Sequence, residues 1–272
     1  MLADAHIHLA CLLARDPTFP ERLAEREGAL GGGDKSPLWT CCAASHDASE
    51  WELSESLRSR LPPFVASFGI HPQWAVWKNA DFLASLCVER RIAAIGEAGF
   101  DFFGDVPERV RTSENEATQR AVFEYQLGLA HKHGLPMLLH LRKAMDLAFE
   151  YAPALKRLPA AVFHSFSGSP RDAQSLLARG VNAFFSFGAS ILNGNKRAAA
   201  SCASVPADRL LAETDAPWQP PRSDVFDPER YCKAEDLDPV VAGIAALRKI
   251  GITEIEPLLA ANFRKAFGER ET

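Results

Sequence analysis

The chain has 272 residues, 47% of them hydrophobic, which is enough to bury a sizeable core in a single domain spanning 1–272. Its formal net charge of −5 excludes a general basic field for attracting polyanions, so any phosphate binding must be local. No run of about 18 apolar residues is present, and the six cysteines have neither zinc-site spacing nor disulfide-scaffold density, so the expectation is a cytoplasmic monomer with reduced thiols, no signal peptide and no membrane contact.

Eight short apolar segments, each followed by a polar or glycine-containing turn, read as strands: 2–8, 38–45, 64–71, 92–97, 135–140, 161–166, 181–187 and 209–215. Between them lie segments with helical spacing, clearest at 47–60, 79–90, 113–133, 143–155 and 170–179. Strands such as Leu135–His140 and Val181–Phe187 are apolar throughout instead of alternating, the pattern of strands covered on both faces. Strand and helix alternate, and no phosphate-binding glycine fingerprint follows the first strand. The expected fold is therefore α/β, a (β/α)8 TIM barrel, in preference to an open doubly wound sheet. Residues 9–37, with the triple glycine Gly31 to Gly33, and the proline-rich 216–235 break the rhythm and are expected over the barrel mouth.

Along the first strand Asp4, His6 and His8 alternate, so the pleat is expected to send all three to one face. Glu97, His140, His164 and Asp215 fall at or near the ends of strands four, five, six and eight, the face on which barrels build their active sites. Unpaired charge at the ends of apolar strands is costly, so a purely structural role for this set is hard to sustain. Imidazole and carboxylate without thiolate suit zinc, magnesium or manganese, and six donors exceed what one ion needs. The expected centre holds two divalent ions: His6, His8 and Asp215 on one, His140 and His164 on the other, Glu97 bridging. A metal-bridged hydroxide is the expected nucleophile, with Asp215 passing its proton to the leaving oxygen. His71 and Arg142 are expected to contact substrate, with Lys143 and Arg222 as further candidate phosphate contacts.

Other residues carry less. His46 follows the second strand on the same side but has no ligand partner in sequence; His131 and His133, two apart on a helix, are expected at the surface. Trp74, Trp77 and Trp218 are placed in loops near the mouth, where they could stack on a base or pack on the rim. Glu213 is expected one layer below Asp215, supporting a ligand.

In order along the chain come Asp4-Ala-His-Ile-His8, Gly69-Ile-His-Pro72, Gly96-Glu-Ala-Gly-Phe-Asp101, His140-Leu-Arg142, His164-Ser-Phe-Ser-Gly168 and Glu213-Thr-Asp-Ala-Pro217. By these motifs the chain resembles the TatD family of metal-dependent deoxyribonucleases, and the likeness extends through Gln119, Phe123, Gln126, Arg209–Glu213 and Asn262–Phe267. The resemblance implies a barrel hydrolase cleaving phosphodiesters from a nucleic-acid end, with His6, His8, Glu97, His140, His164 and Asp215 at the metal positions, His71 beside them and Asp101 in a structural role. Related barrels that bridge their metals with a modified lysine differ, since no lysine ends strands four to six and Glu97 takes that place. Ala10 after Leu9, a long first connection, and Arg222-Ser-Asp-Val-Phe-Asp227 in place of a basic run depart from the family pattern. The rival readings are a hydrolase of small esters or amides on the same centre, and a metal-binding scaffold without turnover.

Overall fold

In the computed structural model, which describes residues 1–30, 38–223 and 227–268, eight parallel strands pair in sequence order and close into a barrel. They are β1 (Leu2–Ile7), β2 (Trp39–Ser45), β3 (Val65–Phe68), β4 (Ala94–Asp101), β5 (Met137–Arg142), β6 (Ala161–Phe163), β7 (Ala183–Phe187) and β8 (Leu210–Ala212). Gly31 to Gly33 and residues 224–226, expected over the mouth, lie outside the described residues. Among the described residues no helix is long and apolar enough to cross a membrane.

Side chains alternate between two apolar layers along most strands. Met137 and Leu139 of β5, Ala161 and Phe163 of β6 and Phe185 and Phe187 of β7 join the large cluster under the helices. Leu138, Val162, Phe184 and Leu211 join a smaller one with Phe263 and Phe267. Two strands break this alternation. Asp4 pairs with Cys41 but Ile7 with Ala43, so β1 carries one residue more than β2 over the same length. Ile95 pairs with Met137 but Ala98 with Leu139, so β4 does the same against β5. An extra residue re-aims the side chains beside it, and here it falls at His6 in one strand and at Glu97 in the other. The expectation that Asp4 shares a face with His6 and His8 is corrected accordingly: Ala3 and Ala5 join the small cluster and Ile7 the large one, so the face changes between Ala5 and Ile7.

β4 and β5 also run further than expected, to Asp101 and Arg142, and pair to their ends, Gly99 with His140 and Asp101 with Arg142. Glycine is required for this approach: a Cβ on Gly96 would stand 2.3 Å from the Leu138 carbonyl oxygen, and one on Gly99 2.1 Å from that of His140.

The helices are α1 (Leu9–Arg15), α2 (Phe19–Leu30), α3 (Ala48–Ser56), α4 (Ala80–Val88), α5 (Ser113–His133), α6 (Met145–Glu150), α7 (Ala152–Leu155), α8 (Pro170–Ala178), α9 (Lys196–Ser204), α10 (Leu237–Arg248) and α11 (Ile252–Phe267). The helix expected over 143–155 is two, divided at Tyr151 where Pro153 follows. α5 starts with the Thr112 side chain accepting from the Asn115 N–H and stops at Gly134 with φ +63°. It buries Gln119, Val122, Phe123, Gln126, Leu127 and Ala130 at three- and four-residue spacing. Its two glutamines splint the mouth: the Gln126 amide bonds both main-chain groups of Ile70 (2.8 and 3.0 Å), and the Gln119 amide both of Asp101 (2.9 and 3.1 Å). His131 and His133 on its last turn are half-buried, not exposed as expected, and His131 Nε2 reaches the Ala154 carbonyl at 3.0 Å.

Candidate metal centre

The six expected donors converge on one carboxylate. Glu97 Oε2 lies 3.3 Å from Nε2 of both His6 and His8. Glu97 Oε1 lies 3.0 Å from His140 Nδ1 and 2.9 Å from His164 Nε2. Asp215 Oδ1 closes the first side, 3.3 Å from His6 Nε2 and 3.4 Å from His8 Nε2. His6 and Glu97 come from the two strands with an extra residue, His8 follows β1, and Asp215 stands three residues beyond β8 in a left-handed turn with φ +60°. All six are buried.

Ring nitrogens in this cluster face each other as well as the carboxylates: His6 Nε2 is 3.1 Å from His8 Nε2, and His140 Nδ1 is 3.1 Å from His164 Nε2. Four nitrogens and the oxygens between them at these spacings are what neighbouring donors show around an ion with bonds of about 2.1 Å. The charge agrees. The histidine rings around Glu97 and Asp215 hold both carboxyls far below the usual carboxylate range, although burial opposes this. Burial likewise opposes a proton on His8, yet Asp215 and Glu97 raise it to about 10. The site draws positive charge onto itself, and the donor set suits a divalent cation. Buried groups that could hold one are His6, His8 and Glu97; His6, His164 and Asp215; and Glu97 and His140 with His71.

Surrounding groups orient the donors. His140 Nε2 is 3.2 Å from Asp101 Oδ2, which also accepts from Gln73 Nε2 at 2.8 Å, while Asp101 Oδ1 accepts from the Phe103 N–H. Asp101 therefore fixes the ring that presents Nδ1 to Glu97, a more specific task than the structural role expected. Glu213 Oε1 stands 3.6 Å from His164 Nδ1 and accepts from the Ser165 N–H at 2.6 Å. Asp4 is occupied elsewhere, accepting from the Thr214 N–H (2.9 Å) and hydroxyl (2.6 Å), and burial pushes its carboxyl up to about 7.

Two histidines not expected as ligands complete the floor. His71 Nδ1 accepts from the Gln73 N–H at 3.1 Å, so in the neutral ring the proton is on Nε2, 3.6 Å from Glu97 Oε1. Burial brings His71 down to about 3 and keeps it neutral. A ring with this tautomer donates and does not ligate, which separates His71 from the buried group that includes it. His46 Nε2 stands 3.2 Å from Glu97 Oε2, a proximity the sequence did not disclose.

A cavity of about 550 Å³ opens above these residues. Arg142 lines it with its guanidinium over the Phe103 ring, 4.0 Å from the centroid. Lys143 turns aside, donating to the Phe103 carbonyl, and Arg222 is not among the lining residues. Trp74 and Trp218 stand on the rim, 65% and 55% exposed, whereas Trp77 packs on Tyr125.

Residues 3–268 match the family model described as TatD related DNase. The chain is 34% identical over 208 residues to the 3'-5' ssDNA/RNA exonuclease TatD of Erwinia amylovora, covering 74% of this chain and 76% of that one. It is 28% identical to an uncharacterized metal-dependent hydrolase of Mycoplasma genitalium over 97% of this chain and 98% of that one. Among solved structures, YJJV, a TatD homolog from Escherichia coli, superposes with a TM-score of 0.79 at 25% identity, covering 99% and 98% of the two chains. The chain, with its closed parallel barrel and its histidine and carboxylate cluster at the strand ends, belongs to the TatD related DNase family of metal-dependent hydrolases.

Proposed function

We propose that residues 1–272 act as one divalent-metal-dependent nuclease domain that shortens single-stranded DNA or RNA from an end. In this reading two ions, zinc, magnesium or manganese, are held by His6, His8 and Asp215 on one side and His140 and His164 on the other, with Glu97 between them. The observation that carries it is the division of Glu97, one oxygen toward each pair of histidines. The relatives named as 3'-5' ssDNA/RNA exonucleases supply the substrate class.

When bound, the ions supply Lewis acidity toward a phosphoryl oxygen and lower the pKa of water. The side chains do the rest. Asp215, whose Oδ2 is held by the Gln219 amide at the cavity floor, is the carboxylate placed to accept a proton from the attacking water and return it to the leaving oxygen. His71 presents Nε2–H as a neutral donor toward substrate. Arg142, braced on Phe103, offers a planar pair of donors that suits a phosphate. Trp74 and Trp218 provide faces on which bases can stack. A second hollow of about 520 Å³ adjoins the mouth at Trp218 and adds Arg15, Arg230 and Tyr231, extending the surface beyond one nucleotide. A monomer belongs to the same reading, as does a reducing compartment, which the six free thiols suit.

Purified protein with magnesium, manganese or zinc is expected to shorten an end-labelled single-stranded oligonucleotide, and a chelator to stop it. One observation favours a second reading, hydrolysis of a small ester or amide: Arg142 is the one lysine or arginine lining the cavity among the described residues. Intact oligonucleotides alongside cleaved small esters or amides would decide for that reading.

A further inference from the structure

His46 occupies the turn between β2 and α3 and is fixed at both main-chain ends. Its N–H donates to Glu50 Oε2 at 2.7 Å, and its carbonyl accepts from Asn79 Nδ2 at 2.6 Å. The ring is fixed as well. Nδ1 lies 3.3 Å from the Gly69 carbonyl oxygen, an atom that can only accept, so Nδ1 carries a proton. In the neutral ring Nε2 is then a bare lone pair, and it points at Glu97 Oε2 from 3.2 Å, acceptor against acceptor. Such an approach is repulsive unless positive charge lies between the two atoms. His6 and His8 direct their Nε2 atoms at the same oxygen from 3.3 Å.

One ring nitrogen donating to a carbonyl while the other, bare, faces a shared carboxylate is the arrangement of a metal-ligating histidine. His71, whose ring centroid is 5.0 Å from that of His46, has the reverse arrangement. Resting on the metal centre of the preceding section, we propose that His46 is a further ligand, binding the ion on the Glu97 Oε2 side together with His6 and His8. Glu97 Oε2 would then gather three imidazoles against two on Oε1, so the two sides of the centre differ in donor number and in affinity.

The competing arrangement is an imidazolium that donates to both Gly69 and Glu97 and touches no ion. His46→Asn separates the two, since its amide nitrogen takes the place of Nδ1 and keeps a donor for Gly69 while Nε2 is removed. Zinc affinity of the full chain, measured by chelator competition, is expected to fall more than about 100-fold in His46→Asn for one of the bound ions, beyond the loss typical of an orienting partner. Long-range proton–nitrogen NMR of the wild-type ring, which does not depend on the variant folding, should show Nδ1–H and a metal-shifted Nε2 once zinc is added. Unchanged zinc affinity in a folded His46→Asn, or a proton retained on His46 Nε2 in the zinc-loaded protein, overturns the assignment while leaving the six-residue centre standing. A wild-type chain that takes up no divalent ion overturns both.

Discussion

At the floor of the cavity His140 is gripped from two sides, by Glu97 at 3.0 Å and Asp101 at 3.2 Å, and Asp101 is itself held by Gln73 and bracketed by Gln119. At the rim Trp218 leaves over half its surface in solvent, and Arg142 rests on a single aromatic face. The floor is buried framework, in which His140 is set by a partner that is set in turn; the rim consists of exposed and half-buried side chains that can rearrange around what binds. This contrast teaches where each kind of change should act. Substitutions on the floor should alter metal affinity and turnover together, and substitutions at the rim should alter substrate binding alone.

The hardest test of the floor is Glu97→Ala, which removes an oxygen from both sides of the centre. Metal affinity measured by chelator competition should fall more than about 100-fold, beyond the loss typical of an orienting partner. Asp101→Asn sharpens the comparison, because it alters only the group behind His140. Metal affinity should fall about 10- to 100-fold, with the fold unchanged by circular dichroism. At the rim, Trp218→Ala should weaken oligonucleotide binding by about 1 kcal/mol, roughly fivefold, in a fluorescence titration and leave metal content alone. Loss of metal in that variant would erase the distinction between floor and rim.

The smallest effect on metal and substrate binding is expected away from both, at Asp16, which pairs with Arg22 at 2.7 Å and accepts from the Tyr231 hydroxyl at 2.8 Å. Arg22 above all, with help from Tyr231 and Thr18, holds this carboxyl below the usual range. A depressed folded-state pKa gives stability that is present above the unfolded value near 4 and lost as pH falls through the folded one. Asp16→Asn should therefore cost roughly 1–2 kcal/mol at pH 7 in a denaturant titration and progressively less below about pH 4.

The barrel and the clustering of six side chains at its mouth were legible in the sequence for one physical reason: buried strands are apolar, so a histidine or carboxylate at their carboxyl ends stands out against its neighbours. The extra residues in β1 and β4 left no such mark, because one added residue changes the pairing without changing hydropathy. That is why Asp4 was expected beside His6, when its carboxylate bonds Thr214 across 210 residues. His46 was undervalued for a related reason. Its partner Glu97 lies 51 residues away and meets it only after β2 and β4 have taken their places in the barrel. The tautomers of His71 and His46 depend on the Gln73 N–H and the Gly69 carbonyl, main-chain groups whose direction no side-chain pattern reveals.

The central claim is that Glu97 lies between divalent ions. Anomalous diffraction from crystals grown with zinc or manganese tests it most directly. The account predicts one peak beside Glu97 Oε2, near His6, His8 and Asp215, and a second beside Oε1, near His140 and His164. A metal-loaded crystal with no ion within about 3 Å of either Glu97 oxygen would contradict it.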